Sequence, residues 1–174
     1  MATRGIDFAN LSLMDALDLA ILVEDEALER YDDFAAQMDQ HRTPDAAKFF
    51  RYMAENEAKH GEQLSVRRAE LFGSAPPSVS RALIFDIEAP DFDAVRAFMS
   101  PRQAMKAALA SEVKAHAFFV AALPVLKNAE VKALFEELRD EEILHQDLVN
   151  VELAKLPPDN GLSEDDFVDE PAAQ

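Results

Sequence analysis

The sequence contains no cysteine. The chain therefore cannot form a disulfide, a thiolate-ligated zinc site, an iron–sulfur cluster or a rubredoxin-type iron centre. Any metal that it binds must be held by carboxylate and imidazole groups. Glycine is also scarce, with 4 residues in 174. This scarcity argues against a turn-rich all-β sandwich.

Basic residues are few as well. The 17 lysine and arginine residues stand against 34 aspartate and glutamate residues, which gives a net charge of −17 and an isoelectric point near 4.5. Such a charge repels nucleic-acid phosphates and anionic lipids, so we expect neither as a partner. A strongly negative field attracts small cations instead.

Long apolar runs are missing too, because Asp15 and Asp18 interrupt the stretch Leu13–Val23. The first ten residues, MATRGIDFAN, show no basic segment followed by an apolar core, which a secretory signal would have. We therefore expect a cytoplasmic protein without a membrane span. With 49% hydrophobic and 29% charged residues, the composition is that of one globular domain with a tail.

Apolar residues recur at helical spacing in four long segments that turn signals separate. Ser12-x-x-Asp15, Thr43-Pro44 and Ser100-Pro101-x-Gln103 are typical helix starts. The predicted helices cover about residues 11–40, 43–71, 100–123 and 128–156.

Short connections within the first and second pair of helices predict two antiparallel hairpins. A crossover over residues 73–99 joins them, and we interpret Phe92–Phe98 within it as a short helix. Hairpins joined by one long crossover are typical of an all-α, ferritin-like four-helix bundle. An ordinary insertion is the alternative interpretation of the link.

The composition changes after the fourth helix. Residues 157–174 include six acidic residues and no lysine or arginine. We interpret them as a solvated, disordered tail, with a partner-docking peptide at Phe167-Val168 as the alternative. The bundle is accordingly expected within residues 1–156.

Ionisable side chains interrupt the apolar stripe of every predicted helix. The first and third helices each contribute one glutamate, and the second and fourth each contribute Glu-x-x-His, whose two side chains share one helical face. Unpaired buried carboxylates cost several kcal/mol each, so four of them in one core call for cations. This set matches the ligands of di-iron and di-manganese carboxylate proteins. The candidate metal ligands are Glu24, Glu57, His60, Glu112, Glu142 and His145. Core polar residues with ordinary hydrogen-bond partners are the alternative.

An internal repeat supports the dimetal interpretation. Glu24-x-x-Ala27-x-x-x-Tyr31 recurs as Glu112-x-x-Ala115-x-x-x-Phe119. The second helix's Glu-x-x-His recurs in the fourth helix. A duplicated hairpin would assemble one two-metal site between its halves.

These motifs resemble the ferritin-like superfamily, and within it the rubrerythrin-type diiron proteins, over about residues 11–155. The resemblance implies two iron ions per chain, or manganese in their place, bridged by Glu57 and Glu142. It implies that four further residues each hold one ion: Glu24, His60, Glu112 and His145. Rubrerythrin has an additional liganding glutamate where this chain has Ala115, and it has a cysteine-rich electron-transfer domain that this chain cannot form.

Four further residues are weaker candidates. Tyr31 is either a core aromatic residue or a donor of a hydrogen bond or an electron near the metals. Glu141 could replace Glu142, although the spacing after Leu138 favours Glu142. His116 is either an accessory ligand or a polar residue at the edge of the stripe, and His41 caps a helix end.

The function we expect is that of a non-haem dimetal oxidoreductase acting on Fe(II), O2 or peroxide, with electrons from an external donor protein. We expect a homodimer or a larger homo-oligomer. Two alternatives stay open. One is a non-catalytic protein of iron binding or storage, including cargo of a shell. The other is a structural bundle whose site is empty or holds zinc.

Overall fold

The computed structural model describes residues 6–40, 43–83 and 100–158. Within these ranges the chain forms four long helices and two short 3-10 turns, and no strand. The long helices are α1 (Leu13–Gln40), α2 (Pro44–Phe72), α3 (Pro101–Ala122) and α4 (Ala129–Lys155). Their bounds agree with the predicted ones to within about two residues.

Helix α1 packs along α2, and α3 packs along α4, so the chain forms two antiparallel hairpins. The predicted all-α, ferritin-like four-helix bundle is confirmed. None of the helices in the described ranges has the length and apolarity that a membrane crossing needs. The predicted helix at Phe92–Phe98, His41, and most of the predicted tail over 157–174 lie outside the described residues. The division at residue 156 stays a prediction.

The helix starts follow the predicted signals with one exception. At α3, the hydroxyl of Ser100 accepts a hydrogen bond from the backbone N–H of Gln103, and the Gln103 side chain returns one to the Ser100 N–H. At α1, the Ser12 hydroxyl accepts from the Asp15 N–H at 3.1 Å. Thr43 precedes α2 as predicted, but its hydroxyl caps no N–H of that helix. It donates to the Met38 carbonyl instead, which fastens the turn between α1 and α2.

Two apolar clusters fill the bundle. The first surrounds Leu17, Phe119 and Phe135, and the second surrounds Phe34 and Phe50. On each helix the predicted ionisable residues lie between the residues of the two clusters. We call this section of the core the polar layer; it comprises Glu24, Glu57, His60, Glu112, Glu142 and His145.

Candidate metal centre

All six predicted ligands meet in the polar layer. Five of them are buried, with exposed fractions between 0% and 4%. The exception is His60, whose side chain is 22% exposed. Each hairpin contributes three of the six residues, so the centre lies between the two halves of the chain.

Glu57 lies between the two imidazoles. Its Oε1 is 3.4 Å from Nδ1 of His145, and its Oε2 is 3.8 Å from Nδ1 of His60. The same His60 nitrogen is 3.9 Å from Oε2 of Glu24, and the same His145 nitrogen is 3.3 Å from Oε2 of Glu112. A single carboxylate therefore reaches both histidines, and each histidine faces one further carboxylate.

Three overlapping groups of donor atoms result, and within each group the atoms lie no more than 4.8 Å apart. Glu57 groups with both histidines. Glu112 and Glu142 group with His145, and all three are buried. The third group is formed by Glu24, His60 and Glu141.

The donor atoms fit divalent cations. Nδ1 of His60, Nδ1 of His145 and Oε2 of Glu112 are buried and make no hydrogen bond to any group in the described part of the chain. Buried polar atoms are normally satisfied, so such atoms need an explanation. Donors that share an ion at about 2.1 Å lie roughly 3 to 4 Å apart, which is the spacing found here. Mixed carboxylate and imidazole ligands suit iron and manganese.

Burial shifts the proton affinities of the centre. It raises the pKa of Glu24 to about 7. The negative charges of Glu141 and Glu112 also raise this pKa. A hydrogen bond with Glu57 and the positive charge of His145 act in the opposite direction. Burial likewise lowers the pKa of the His60 imidazole, helped by the neighbouring His145. A neutral imidazole is the form that binds a metal.

His145 behaves differently. Burial disfavours its charged form, but the carboxylate of Glu112, whose Oε2 is 3.3 Å from Nδ1, outweighs that effect together with the charges of Glu24 and Glu141 and raises the pKa of His145. The carboxylates around His145 therefore favour the charged form of its imidazole in the metal-free protein.

Tyr31 orients one of the carboxylates. Its buried hydroxyl donates a hydrogen bond from α1 to Oε1 of Glu112 on α3. The Tyr31 ring stacks on Phe50, with centroids 6.1 Å apart and an angle of 19° between the planes. Gln146 contacts the same glutamate, because its side-chain amide donates to the Glu112 carbonyl at 3.3 Å. Tyr31 is thus both a buried aromatic residue of the second apolar cluster and a hydrogen-bond donor to Glu112.

Glu141 lies on the His60 side of the centre. From the sequence, Glu141 is expected only as a replacement for Glu142. The structure brings both into the site, on different sides. Adjacent residues of a helix differ by about 100° in direction, so a wide buried face can hold both. His116 is half-buried and is not among the grouped donors.

The sequence analysis missed a buried ion pair near the open end of the first hairpin. Nε of Arg68 donates to Oδ1 of Asp18 at 2.7 Å, and a second guanidinium nitrogen donates to Oδ2 at 3.3 Å. The third nitrogen donates to the Gly73 carbonyl beyond the end of α2. Asp18, which interrupts the apolar stretch of α1, could have indicated a buried partner of opposite charge.

A cavity of about 200 Å³ lies between α2 and α4. His60 and Glu141 line it together with Leu64 and Leu138. Arg67 and Glu137, which form an exposed ion pair with a separation of 3.0 Å, also line it. The cavity therefore extends from the half-buried ligand of the centre to an exposed ion pair.

Comparison with known proteins agrees with this fold. The rubrerythrin family model matches residues 15–83, a range that contains Glu24, Glu57 and His60. The chain is also similar to the crystal structure of an uncharacterized conserved protein from Magnetospirillum magnetotacticum, with a TM-score of 0.71 and 27% identity. That similarity covers 84% of this chain and 97% of the other. Among curated proteins, no sequence matches. The predicted resemblance to rubrerythrin-type proteins of the ferritin-like superfamily is confirmed.

Proposed function

We propose that this protein is a non-haem dimetal carboxylate protein, with two iron ions per chain, that acts as an oxidoreductase on Fe(II), O2 or peroxide. The position of Glu57 between the imidazoles of His60 and His145 carries the proposal. A carboxylate that reaches two histidines in a buried layer can be shared between two cations. Manganese can take the place of iron with the same ligands.

The two ions would be held by Glu24, Glu57, His60, Glu112, Glu142 and His145. When bound, each ion would supply a redox couple. Among the surrounding residues, Tyr31 orients Glu112, and the two apolar clusters border the polar layer on either side along the bundle.

Electrons for repeated turnover come from an external donor protein in this proposal. A cysteine-free chain cannot carry a thiolate-ligated redox centre of its own. A homo-oligomer is part of the proposal as well. The exposed apolar side chains of Leu144 and Val151 support it, because residues seven apart lie on the same face of α4 and two such neighbours favour association. Light scattering measures the assembly directly.

The first experiment is the metal content per chain, measured by mass spectrometry on protein from iron-supplemented cells. We expect about two ions in the wild type and a loss of both in Glu57→Ala, with Glu57→Gln as the variant that keeps the side-chain volume. Glu55→Ala is the matched control, because Glu55 is exposed on the same helix. Circular dichroism checks that each variant folds.

Consumption of O2 or peroxide by the iron-loaded protein then tests the activity. Turnover that Glu57→Gln abolishes supports the oxidoreductase. Two ions per chain without turnover would identify a non-catalytic iron-binding protein. A wild type that binds no stoichiometric metal, even after anaerobic loading with Fe(II), would refute the dimetal site.

A further inference from the structure

We propose that Glu141 is a seventh protein ligand, which holds the cation on the His60 side of the centre together with Glu24 and His60. This inference rests on the proposed dimetal function and adds a residue to it. The resemblance to rubrerythrin does not assign the position, and the sequence considered Glu141 only in place of Glu142.

Geometry supports the assignment. A carboxylate oxygen of Glu141, a carboxylate oxygen of Glu24 and a ring nitrogen of His60 all lie within 4.8 Å of one another. The three residues come from α4, α1 and α2, so they approach one point from three directions. Nδ1 of His60 is buried and makes no hydrogen bond within the described ranges. Because a buried polar atom without a hydrogen bond needs an explanation, this nitrogen supports a bound cation at the place where the three groups meet.

Burial distinguishes the two sides. Glu112, Glu142 and His145 are all buried, whereas Glu141 and His60 are half-buried and line the 200 Å³ cavity between α2 and α4. The cavity has room for several water molecules, each of which occupies about 30 Å³. The ion that Glu141 holds is therefore the one that exchanges with solvent, and the ion beside His145 is the enclosed one.

The test is an anaerobic titration of the metal-free protein with Fe(II), and separately with Mn(II), followed by equilibrium dialysis. We expect two ions per wild-type chain. In Glu141→Gln we expect one tightly bound ion and a second bound at least about tenfold more weakly, since even outer-shell partners change metal affinity by about 10- to 100-fold. Glu141→Asp, which keeps the carboxylate, should recover part of the affinity.

Glu137→Gln is the matched control. Glu137 lies one helical turn before Glu141, lines the same cavity and is exposed. This variant removes the same charge from the same cavity, and we expect it to bind two ions with wild-type affinity. Electron paramagnetic resonance adds a second measurement. The Mn(II)-loaded wild type should show the signal of a coupled pair, and Glu141→Gln should show the six-line signal of an isolated ion.

The outcomes separate the inference from the proposed function. Two ions bound with wild-type affinity in Glu141→Gln would overturn the role of Glu141 and leave the dimetal function standing. Equal weakening in Glu137→Gln would also overturn it, because the effect would then be one of charge in the cavity. If Glu141→Gln folds but loses both ions, Glu141 does not act on the His60-side ion alone, and the inference is wrong. If the wild type binds no metal, the proposed function itself fails.

Discussion

The imidazole rings of His60 and His145 lie parallel, with their centroids 5.2 Å apart and an angle of 8° between their planes. One ring belongs to α2 and the other to α4, so the pair joins the two hairpins at the centre of the bundle. Glu57 reaches Nδ1 of both rings. Such pairing is what two copies of one Glu-x-x-His motif would form across a pseudo-twofold axis.

Metal affinity should increase with pH. A ligand must lose its proton before it binds a cation, and burial raises the pKa of Glu24 to about 7. The raised pKa of His145 acts in the same direction, since only the neutral imidazole binds. For the Glu24 proton alone, we expect the affinity for Mn(II) to fall about tenfold from pH 8 to pH 6. Calorimetric titrations in buffers of different ionisation enthalpy measure the proton release. Proton release of zero would contradict this assignment.

The metal-free protein should show the opposite trend in stability. Because the folded-state pKa of Glu24 is raised above its ordinary value, the folded state binds this proton more tightly than the unfolded state. The resulting stability is present below about pH 4.5 and is lost as the pH rises through about 7. We expect the unfolding temperature of metal-free protein to decrease between pH 5 and pH 8. Glu24→Gln should flatten this dependence, and an unchanged slope would exclude Glu24 as its source.

Tyr31→Phe removes the hydroxyl that donates to Glu112. A hydrogen bond to a charged group contributes about 1.5 to 3 kcal/mol, so we expect the free energy of unfolding to decrease by this amount. Metal affinity should fall as well, because Glu112 loses the donor that orients it. Tyr52→Phe is the control, since Tyr52 is the other tyrosine of the chain and is 46% exposed. Equal effects of the two substitutions in urea unfolding would contradict a special role of Tyr31.

The pair Asp18 and Arg68 should show strong energetic coupling. Each single substitution, Asp18→Asn or Arg68→Met, leaves its buried partner without the opposite charge and should lower the unfolding temperature. The double variant should lose less than the two single losses combined, which a double-mutant cycle measures. Asp39 and Arg51 provide the control, because both are about half exposed and such pairs contribute little. Additive losses at the buried pair would show that its members act independently.

Ser100→Ala should destabilise α3. The Ser100 hydroxyl accepts a hydrogen bond from the Gln103 N–H, and loss of such a cap costs about 1 kcal/mol. Ser100→Asp keeps an acceptor at the same place and should retain most of the stability. Urea unfolding of the two variants compares them directly, and a similar loss in both would show that the side-chain acceptor is not what matters.

The helices could be predicted because their signals are local. Apolar spacing and caps such as Ser100 with Gln103 depend on residues within a few positions of each other, and the structure has these helices at nearly the predicted bounds. The six ligands were found for a related reason. An ionisable residue in an apolar stripe costs free energy wherever its helix packs, so Glu24 and Glu112 stood out without knowledge of their neighbours.

What the sequence left open depends on contacts between helices. The spacing in α4 could not decide between Glu141 and Glu142, because the rotation of α4 about its own axis decides which carboxylate faces His60 on α2 and which faces Glu112 on α3. The hydrogen bond from Tyr31 to Glu112 and the ion pair of Asp18 with Arg68 both join residues far apart in the chain. No spacing rule within one helix connects such residues.

The polar layer divides the apolar core into two clusters, and this division bears on how the protein melts. Each cluster draws residues from both hairpins, so each can act as a block that holds all four helices together. Without cations, repulsion among the carboxylates weakens the link between the blocks, and the calorimetric enthalpy of unfolding should exceed the van't Hoff enthalpy. With cations bound, the blocks should melt as one cooperative unit. The ions would then set the cooperativity of the whole bundle as well as its chemistry.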